Sequence, residues 1–485
     1  LFSNIRMNES SSSEKRSYIQ FLKEILKIKG VPQILFMSIS MSFGAGTFAI
    51  SPAITSDKYA RYYHGYSGPF CSIANVDGMI PAACSLGAAS AQNAASVASF
   101  VQYTLAFLTG PLLGSLSDRY GRRNFIFLGI ICFSLGPFAL LWIQIFPNTN
   151  PVLYYLASLC LGLASWFIPT YALMSDVVPP HLRAVAFSLI LMTASAAIAI
   201  ISEIAALFGF FLATIVSVAC CLLGLVFAIF VLPETLSMEN RQKAILKMEE
   251  DEQANGLPNI CFRILRPVKD LGMLNRNIFF QLMTFVVVLS LITKAGEQTV
   301  QVFYFEGQLG FTQQDISIFL VIHSCAIVIA QSIVLHALIQ RIGERYVVIV
   351  TMIAGVIFSF LYGIAKSPAL IYFAAVISAA SGMSFSTFSS MMSFNVKEYE
   401  QGSIQGVLAS LQAVSNAFGP LLLNFIFDKT ADGALFGAGT MFFASVLLYV
   451  IAMILSFALP PELANSRELR KREHNLSEHL LTQDT

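Results

Sequence analysis

Charge is scarce in this chain. Only 12% of its 485 residues are Asp, Glu, Lys or Arg, against roughly 25% in soluble domains, and the mean hydropathy is +0.70. Water cannot be the main solvent for such a surface. Other absences narrow the field further. No G-x-x-x-x-G-K-[ST] loop is present to cradle phosphates, so ATP is not expected to drive anything. No His and Cys cluster has metal-ligand spacing, and no nucleophile motif stands in a plausible active site. No basic stretch is interleaved with aromatics, and a net charge of +1 argues neither for nor against a nucleic-acid partner. An enzyme, a metal centre, a cofactor and a nucleic-acid partner are therefore all unexpected. Residues 1–30 are polar and show no secretory signal peptide. The chain opens on Leu1 rather than Met, which leaves a processed or truncated start open.

What the chain does have is long apolar runs. A spanning helix needs about 20 mostly apolar residues. Twelve candidates lie near 33–55, 94–117, 124–146, 150–175, 184–206, 208–232, 277–304, 314–340, 346–365, 367–393, 404–427 and 433–459. The runs are long and do not alternate, which favours helices over a barrel, because backbone groups in lipid must pair within the segment. The expectation is an all-α polytopic membrane protein with twelve transmembrane helices in two pseudo-symmetric six-helix bundles, 33–232 and 277–459. A cytosolic linker (233–276) joins the bundles, tails occupy 1–32 and 460–485, and a long first outer loop covers 56–93.

Lys and Arg assign the sides. Apart from Lys58, Arg61, Lys366, Lys429 and Lys294, which lies inside span 7, all of them fall in the tails, the linker and the loops on the linker's side. The positive-inside rule then places both termini in the cytosol. Residues 18–29 read as an amphipathic helix, lying along the inner membrane surface or simply solvated. Cys71 and Cys84 share the first outer loop, where oxidising conditions permit either a disulfide or two free thiols. The other cysteines sit in spans or on the cytosolic side as small hydrophobes. The sequons at Asn8 and Asn475 fall on cytosolic tails and are not expected to carry glycans. The tail Ser477-Glu-His-Leu-Leu481 loosely resembles a dileucine sorting signal, so plasma and endolysosomal membranes both stay open.

Between spans 2 and 3 the chain reads Gly114-Ser-Leu-Ser-Asp118-Arg119-Tyr-Gly121-Arg122-Arg123. This resembles the G-x-L-x-D-R-x-G-R-R signature of the major facilitator superfamily and matches it at every specified position. After span 8, Leu338-Ile-Gln340-Arg341-Ile-Gly343-Glu344-Arg345 reads as a decayed copy, with Gln340 in the place of Asp118 and Glu344 in that of Arg122. Val231-Leu-Pro-Glu-Thr-Leu236 is a phrase common in the same superfamily. Gln401-Gly-Ser-Ile-Gln405-Gly406 and Asn416-Ala-Phe-Gly419-Pro420 resemble the branch of tetracycline efflux pumps and hippocampus-abundant-transcript proteins, with proton-coupled folate carriers as more distant kin. One departure counts against drug–proton antiport: residues 193–203 lack the G-P-x-x-G-G run of such antiporters. The resemblance implies a monomeric secondary transporter that moves a small organic solute by alternating access, with proton symport or facilitated diffusion favoured. The rival class is a receptor, adaptor or scaffold that keeps the fold without transporting.

In similar transporters the signature Asp faces the N-terminus of span 11, here near 401–405, where the helix dipole stabilises a carboxylate. Arg122 would pair with Asp176 at the end of span 4. With Gly114, Arg119, Gly121 and Arg123 these residues would latch the cytosolic face; the plainer alternative is that they anchor a loop and set topology. Lys294 and Glu297 are three apart on one helix face of span 7, and Gln301 lies a turn further on. At about 1.5 Å per residue from Asn277, Lys294 sits roughly 26 Å in, as part of an outer gate or substrate site, or as a self-neutralising pair. Glu203, flanked by Ile200, Ile201 and Ile204, is a candidate proton carrier that would cluster with His323 and Lys294, although a lone His also serves packing. The expected cavity wall comprises Ser42, Thr47, Trp166, Tyr171, Gln301, Ser384, Phe385 and Phe388 from spans 1, 4, 7 and 10. Small residues there also suit close helix packing. Gln102, Tyr103, Gln412 and Asn416 are expected to hold the bundles together rather than to bind solute.

Overall fold

The computed structural model describes residues 18–71, 81–236, 238–239, 241–243, 245–246, 271–309, 311, 313–430 and 439–464. Both sequons and the dileucine-like tail lie outside them. Tyr18–Lys27 forms a short helix before the first span. Eleven helical elements among the described residues are long and apolar enough to cross a membrane. One of them, Ile318–Ile364, makes two crossings, because Gly343 (φ 77, ψ 167) turns the chain inside it. Twelve crossings result.

Span 1 comprises Val31–Ala45 and Thr47–His64, and span 2 is Ala82–Tyr120. Polar residues extend both helices beyond their apolar runs, so the first outer loop is shorter than the hydropathy pattern implied. Spans 3, 5 and 6 are Arg122–Ile145, Pro180–Phe208 and Phe210–Phe230. Span 7, Ile278–Leu309, also overruns its apolar stretch. Spans 8 and 9 cover 313–342 and 344–364, span 11 is Gln401–Thr430 and span 12 is Thr440–Phe457. Proline opens spans 1, 5 and 10 in the first helical turn, where its missing N–H costs no intrahelical bond.

Spans 4 and 10, which hold equivalent places in the two halves, are both broken near mid-membrane. Span 4 divides into Val152–Ser158, Cys160–Leu163 and Phe167–Val177, with Ala164 extended. Span 10 divides into Pro368–Ser381 and Ser384–Ser393. A break in lipid strands backbone polar groups, which survive only with side-chain partners. Thr109 Oγ1 donates to Gly162 O at 2.8 Å, and Ser165 Oγ accepts from Phe167 N. Gln331, in the π-turn of span 8 (Ala330–Val334), donates Nε2 to Gly382 O at 2.9 Å. Each break is thus repaired by a neighbouring hydroxyl or amide.

The halves meet along two seams, span 2 against span 11 and span 5 against span 8. In the first seam Gly110-x-x-x-Gly114 faces Gly402-x-x-x-Gly406, and a Cβ at Gly114 would collide with Gly402 O. Small residues at this spacing let helix backbones touch. Hydrogen bonds that join the halves toward the end that carries the linker run from Asp118 to Gly402 and Ser403, Ser410 to Phe107, Arg183 to Ser393 and Ser188 to Gln331. We call this end the linker face. On the opposite face Cys71 and Cys84 form a disulfide (Cα–Cα 5.6 Å).

Candidate functional site

Gly121, at φ 98 and ψ 148, ends span 2 and starts span 3. A side chain there would be strained. The turn puts Asp118 and Arg122 side by side on the linker face, both buried. Asp118 accepts from Gly402 N (2.8 Å), Ser403 N (2.8 Å) and Ser403 Oγ (2.9 Å). It therefore caps span 11 with a formal negative charge at the positive end of the helix dipole. Arg122 bridges Asp118 and Asp176, with Nε 3.1 Å from Asp176 Oδ2, and a third bond runs to Ser117 Oγ at 3.0 Å.

The phrase closing span 6 completes this cluster. Glu234 accepts the N–H groups of Arg122 and Arg123 (3.1 Å each), so it caps span 3 as Asp118 caps span 11. Thr235 Oγ1 donates to Asp176 at 3.0 Å. Arg123 reaches Ile229 O and lies over the Phe127 ring. Arg119 is buried and donates toward Ser115, while its carbonyl accepts from Arg241 of the linker. In the sequence the phrase at 231–236 stands only as a likeness. The acid following Pro233 was the available signal, since a carboxylate just beyond one helix end readily serves another helix's first turn.

Beyond the latch, toward the disulfide face, lies a cavity of about 520 Å³ between the halves. Spans 1 to 5 supply most of its wall, including Ser42, Gln102, Tyr103, Phe133, Trp166 and Tyr171; span 11 adds Gln405, Gln412 and Asn416, and span 10 adds Phe385. The ring centroids of Tyr171 and Phe385 meet across the halves at 6.2 Å. The break in span 4 is what swings Trp166 and Phe167 to the wall, and Gly129 makes room by touching the Trp166 backbone.

Of the residues expected on the wall, Ser42, Trp166, Tyr171 and Phe385 line the cavity. The others do not. Thr47 is buried and bonds to Gly44 O, Ser384 and Phe388 are buried in the C-terminal half, and Gln301 is off the wall. Gln102, Tyr103, Gln412 and Asn416, expected to bond across the interface, face the cavity instead. Their side chains belong to spans 2 and 11, which diverge beyond the glycine seam and leave the amides unpaired.

The expected proton cluster is not assembled. Glu203 is exposed, on the same face as Ile200 (45% exposed) and Leu207 (72%), whereas Ile201 and Ala205 turn into the bundle. The flanking isoleucines conceal this because a helix alternates faces within a single turn. Glu297 is 2% exposed and points away from the cavity, into the C-terminal bundle. There it accepts from Ser359 Oγ (2.5 Å, span 9) and Tyr449 OH (3.4 Å, span 12). Lys294 is partly buried and within electrostatic range of Glu297 and His323. His323 stacks on Phe319 and shares a 3.0 Å hydrogen bond with Ser378. Among the described residues no group of His, Cys, Asp and Glu is placed to hold a metal ion.

With this geometry in hand, comparison with known proteins is informative. The family described as Major Facilitator Superfamily matches residues 35–420 and 278–483. The chain is 27% identical over 336 residues to the hippocampus abundant transcript 1 protein of Mus musculus, covering 67% of this chain. It spans 64%, just under two thirds, of that relative's length. Among solved structures, the human organic anion transporter MFSD10 (TETRAN) superposes with a TM-score of 0.69 at 18% identity, over 89% of this chain and 99% of its own. The proton:xylose symporter XylE superposes at 0.64 and 14%, over 90% and 98%. At such identities the two superpositions establish a shared fold.

Proposed function

The chain belongs to the major facilitator superfamily, and on that premise we propose that it is a secondary transporter carrying a small organic solute across its membrane by alternating access. One observation carries this: a cavity at mid-depth lies directly beyond a latch that ties the halves together on the linker face. Sites at the interface of two repeats, near the midplane, suit a rocking exchange of access. The Asp118 contacts exist only while spans 2 and 11 touch, so they belong to one state. With the linker face cytosolic, as the basic residues favour, the state described is closed inward. The neighbours named for an organic anion and for xylose carry small organic solutes, and this chain is read as serving the same coarse class.

Proton coupling is assigned to Glu297 rather than Glu203, because only Glu297 is buried among groups that can relay a proton. Ser359 of span 9 and Tyr449 of span 12 hold the carboxylate, Tyr362 lies nearby, and Lys294 and His323 approach from spans 7 and 8. The test is a thermal-shift screen of purified protein against a metabolite library at pH 5.5 and 7.5. A ligand at a hundredfold its Kd adds about 2.7 kcal/mol of stability. Any stabilising compound is then followed by counterflow in proteoliposomes. Saturable counterflow supports transport, while binding without counterflow favours the receptor reading. Glu297→Gln should abolish the pH dependence of uptake but keep counterflow; an unchanged pH profile removes Glu297 from the coupling.

A further inference from the structure

Among the described residues, no Asp, Glu, Lys, Arg or His lines the cavity wall. An ion entering it would leave water without meeting an opposite charge, which is costly wherever the site is dry. Its polar groups also divide into two kinds. Ser42, Thr109 and Ser165 spend their hydroxyls on Thr193, Gly162 O and Phe167 N within the protein. The amides do not. Gln102, Gln412 and Asn416 have no hydrogen-bond partner among the described residues and are half-buried at the wall.

Gln405 is the most telling. It is only 4% exposed, and its Oε1 accepts from Ser389 Oγ at 2.7 Å. The opposite atom, Nε2, is buried at the cavity wall with no partner among the described residues. Buried donors in native proteins are almost always satisfied, by protein, water or ligand. Gln405, Gln412 and Asn416 are spaced seven and four residues apart, so they form one stripe along span 11. At about 1.5 Å per residue the stripe is roughly 16 Å long, and Gln102 faces it from span 2. Trp166, Tyr171 and Phe385 form the apolar wall.

We propose that this cavity selects an uncharged solute with several hydroxyl or carbonyl oxygens along one edge and an apolar ring face along the other. Monosaccharides and nucleosides share that chemistry. Each amide offers both a donor and an acceptor, and so matches hydroxyls, which are also both; Gln405 Nε2 takes an acceptor oxygen. Organic anions are excluded for want of a counter-charge. The inference rests on the transport reading for its role in the cell, but its test is a binding measurement.

Purified full-length chain is assayed by scintillation proximity with four tritiated probes: D-glucose, D-glucuronate, uridine and uridine 5′-monophosphate. At least one neutral member should bind saturably, and at least tenfold more tightly than its charged counterpart; which neutral member binds separates sugar from nucleoside. Gln405→Met should weaken that binding about tenfold, or about 1.4 kcal/mol. Gln412→Leu, at a half-open position where folding is not at stake, should weaken it several-fold. A charged member binding as tightly as its neutral partner overturns the assignment, and so does binding of none of the four. Neutral binding without counterflow instead sinks transport and leaves the selectivity standing, whereas counterflow of an anion does the reverse.

Discussion

Gly121 and Gly343 turn the chain between spans 2 and 3 and between spans 8 and 9 with nearly the same backbone, at φ 98, ψ 148 and φ 77, ψ 167. Two residues beyond each glycine an arginine anchors the turn to the last helix of its own half. Arg123 donates to Ile229 O of span 6, and Arg345 donates to Phe457 O of span 12 at 2.6 Å. Three residues before each glycine the likeness ends. Asp118 is 2% exposed and crosses to span 11, whereas Gln340 is exposed. On the other seam the crossing contacts are made to carbonyls and a hydroxyl: Arg183 to Ser393, and Ser188 Oγ to Gln331 O. Each half must fold, so each keeps its turn and anchor. One gate needs only one latch, and nothing in the physics requires the second copy to keep its acid.

The largest expected effect comes from breaking the first loop's crossing contact. Asp118→Asn keeps the shape but removes the charge that caps span 11 and pairs with Arg122. Disrupting a buried pair costs about 3 kcal/mol or more, roughly a hundredfold in the balance between closed and open linker faces. Nitroxides at Tyr120→Cys and Lys397→Cys, with the other free cysteines replaced, report the distance between spans 2 and 11 by pulsed spin resonance. A longer population should appear in the Asn variant. An unchanged distribution would mean that the glycine seam alone holds the face shut, and that Asp118 is a topological anchor.

A smaller and symmetric effect tests the shared part. Arg123→Gln and Arg345→Gln each remove a charged donor from one carbonyl, a loss of about 1.5 kcal/mol. The two should lower the melting temperature equally, and neither should lengthen the distance between spans 2 and 11. A drop confined to Arg123→Gln would show that the anchors are not equivalent, and that the second loop has lost more than its acid.

Much of this was legible beforehand, for reasons that differ from residue to residue. Hydropathy counts crossings well because lipid tolerates little else than apolar helix. It misplaced the ends of spans 1, 2 and 7, where polar residues continue a helix past the apolar run. The partners of Asp118 and Arg122 could be anticipated from the signature, whose spacing is tied to one turn. The breaks in spans 4 and 10 could not, because they depend on Thr109 and Gln331 reaching from other spans to repair them. Glu203 misled because apolar neighbours in sequence are not neighbours on a helix face. The amides of spans 2 and 11 misled for a further reason: polar groups in a membrane interior are expected to pair, and pairing depends on how far two helices diverge. The reciprocal G-x-x-x-G pair at 110–114 and 402–406 was visible throughout, and it would have shown where those helices part.

The smallest expected effect is the attempt to restore symmetry. Gln340→Asp returns the acid to the second loop, where a mirror-image latch would need donors at the start of span 5. Span 11 offers Asp118 the free N–H groups of Gly402 and Ser403. Span 5 begins Pro179-Pro180, and proline has no N–H to give, so its first available donors are those of His181 and Leu182, and Leu182 N already turns back to Pro179 O at 2.9 Å. The carboxylate would also sit at an exposed site, where substitutions usually change stability by less than about 0.5 kcal/mol. Gln340→Asp should therefore leave the melting temperature and the separation of spans 5 and 8 as they are. A clear stabilisation would place the asymmetry in the lost acid alone, whereas no change, followed by a gain when Pro180→Ala is added, would place it in the N–H that Pro180 lacks.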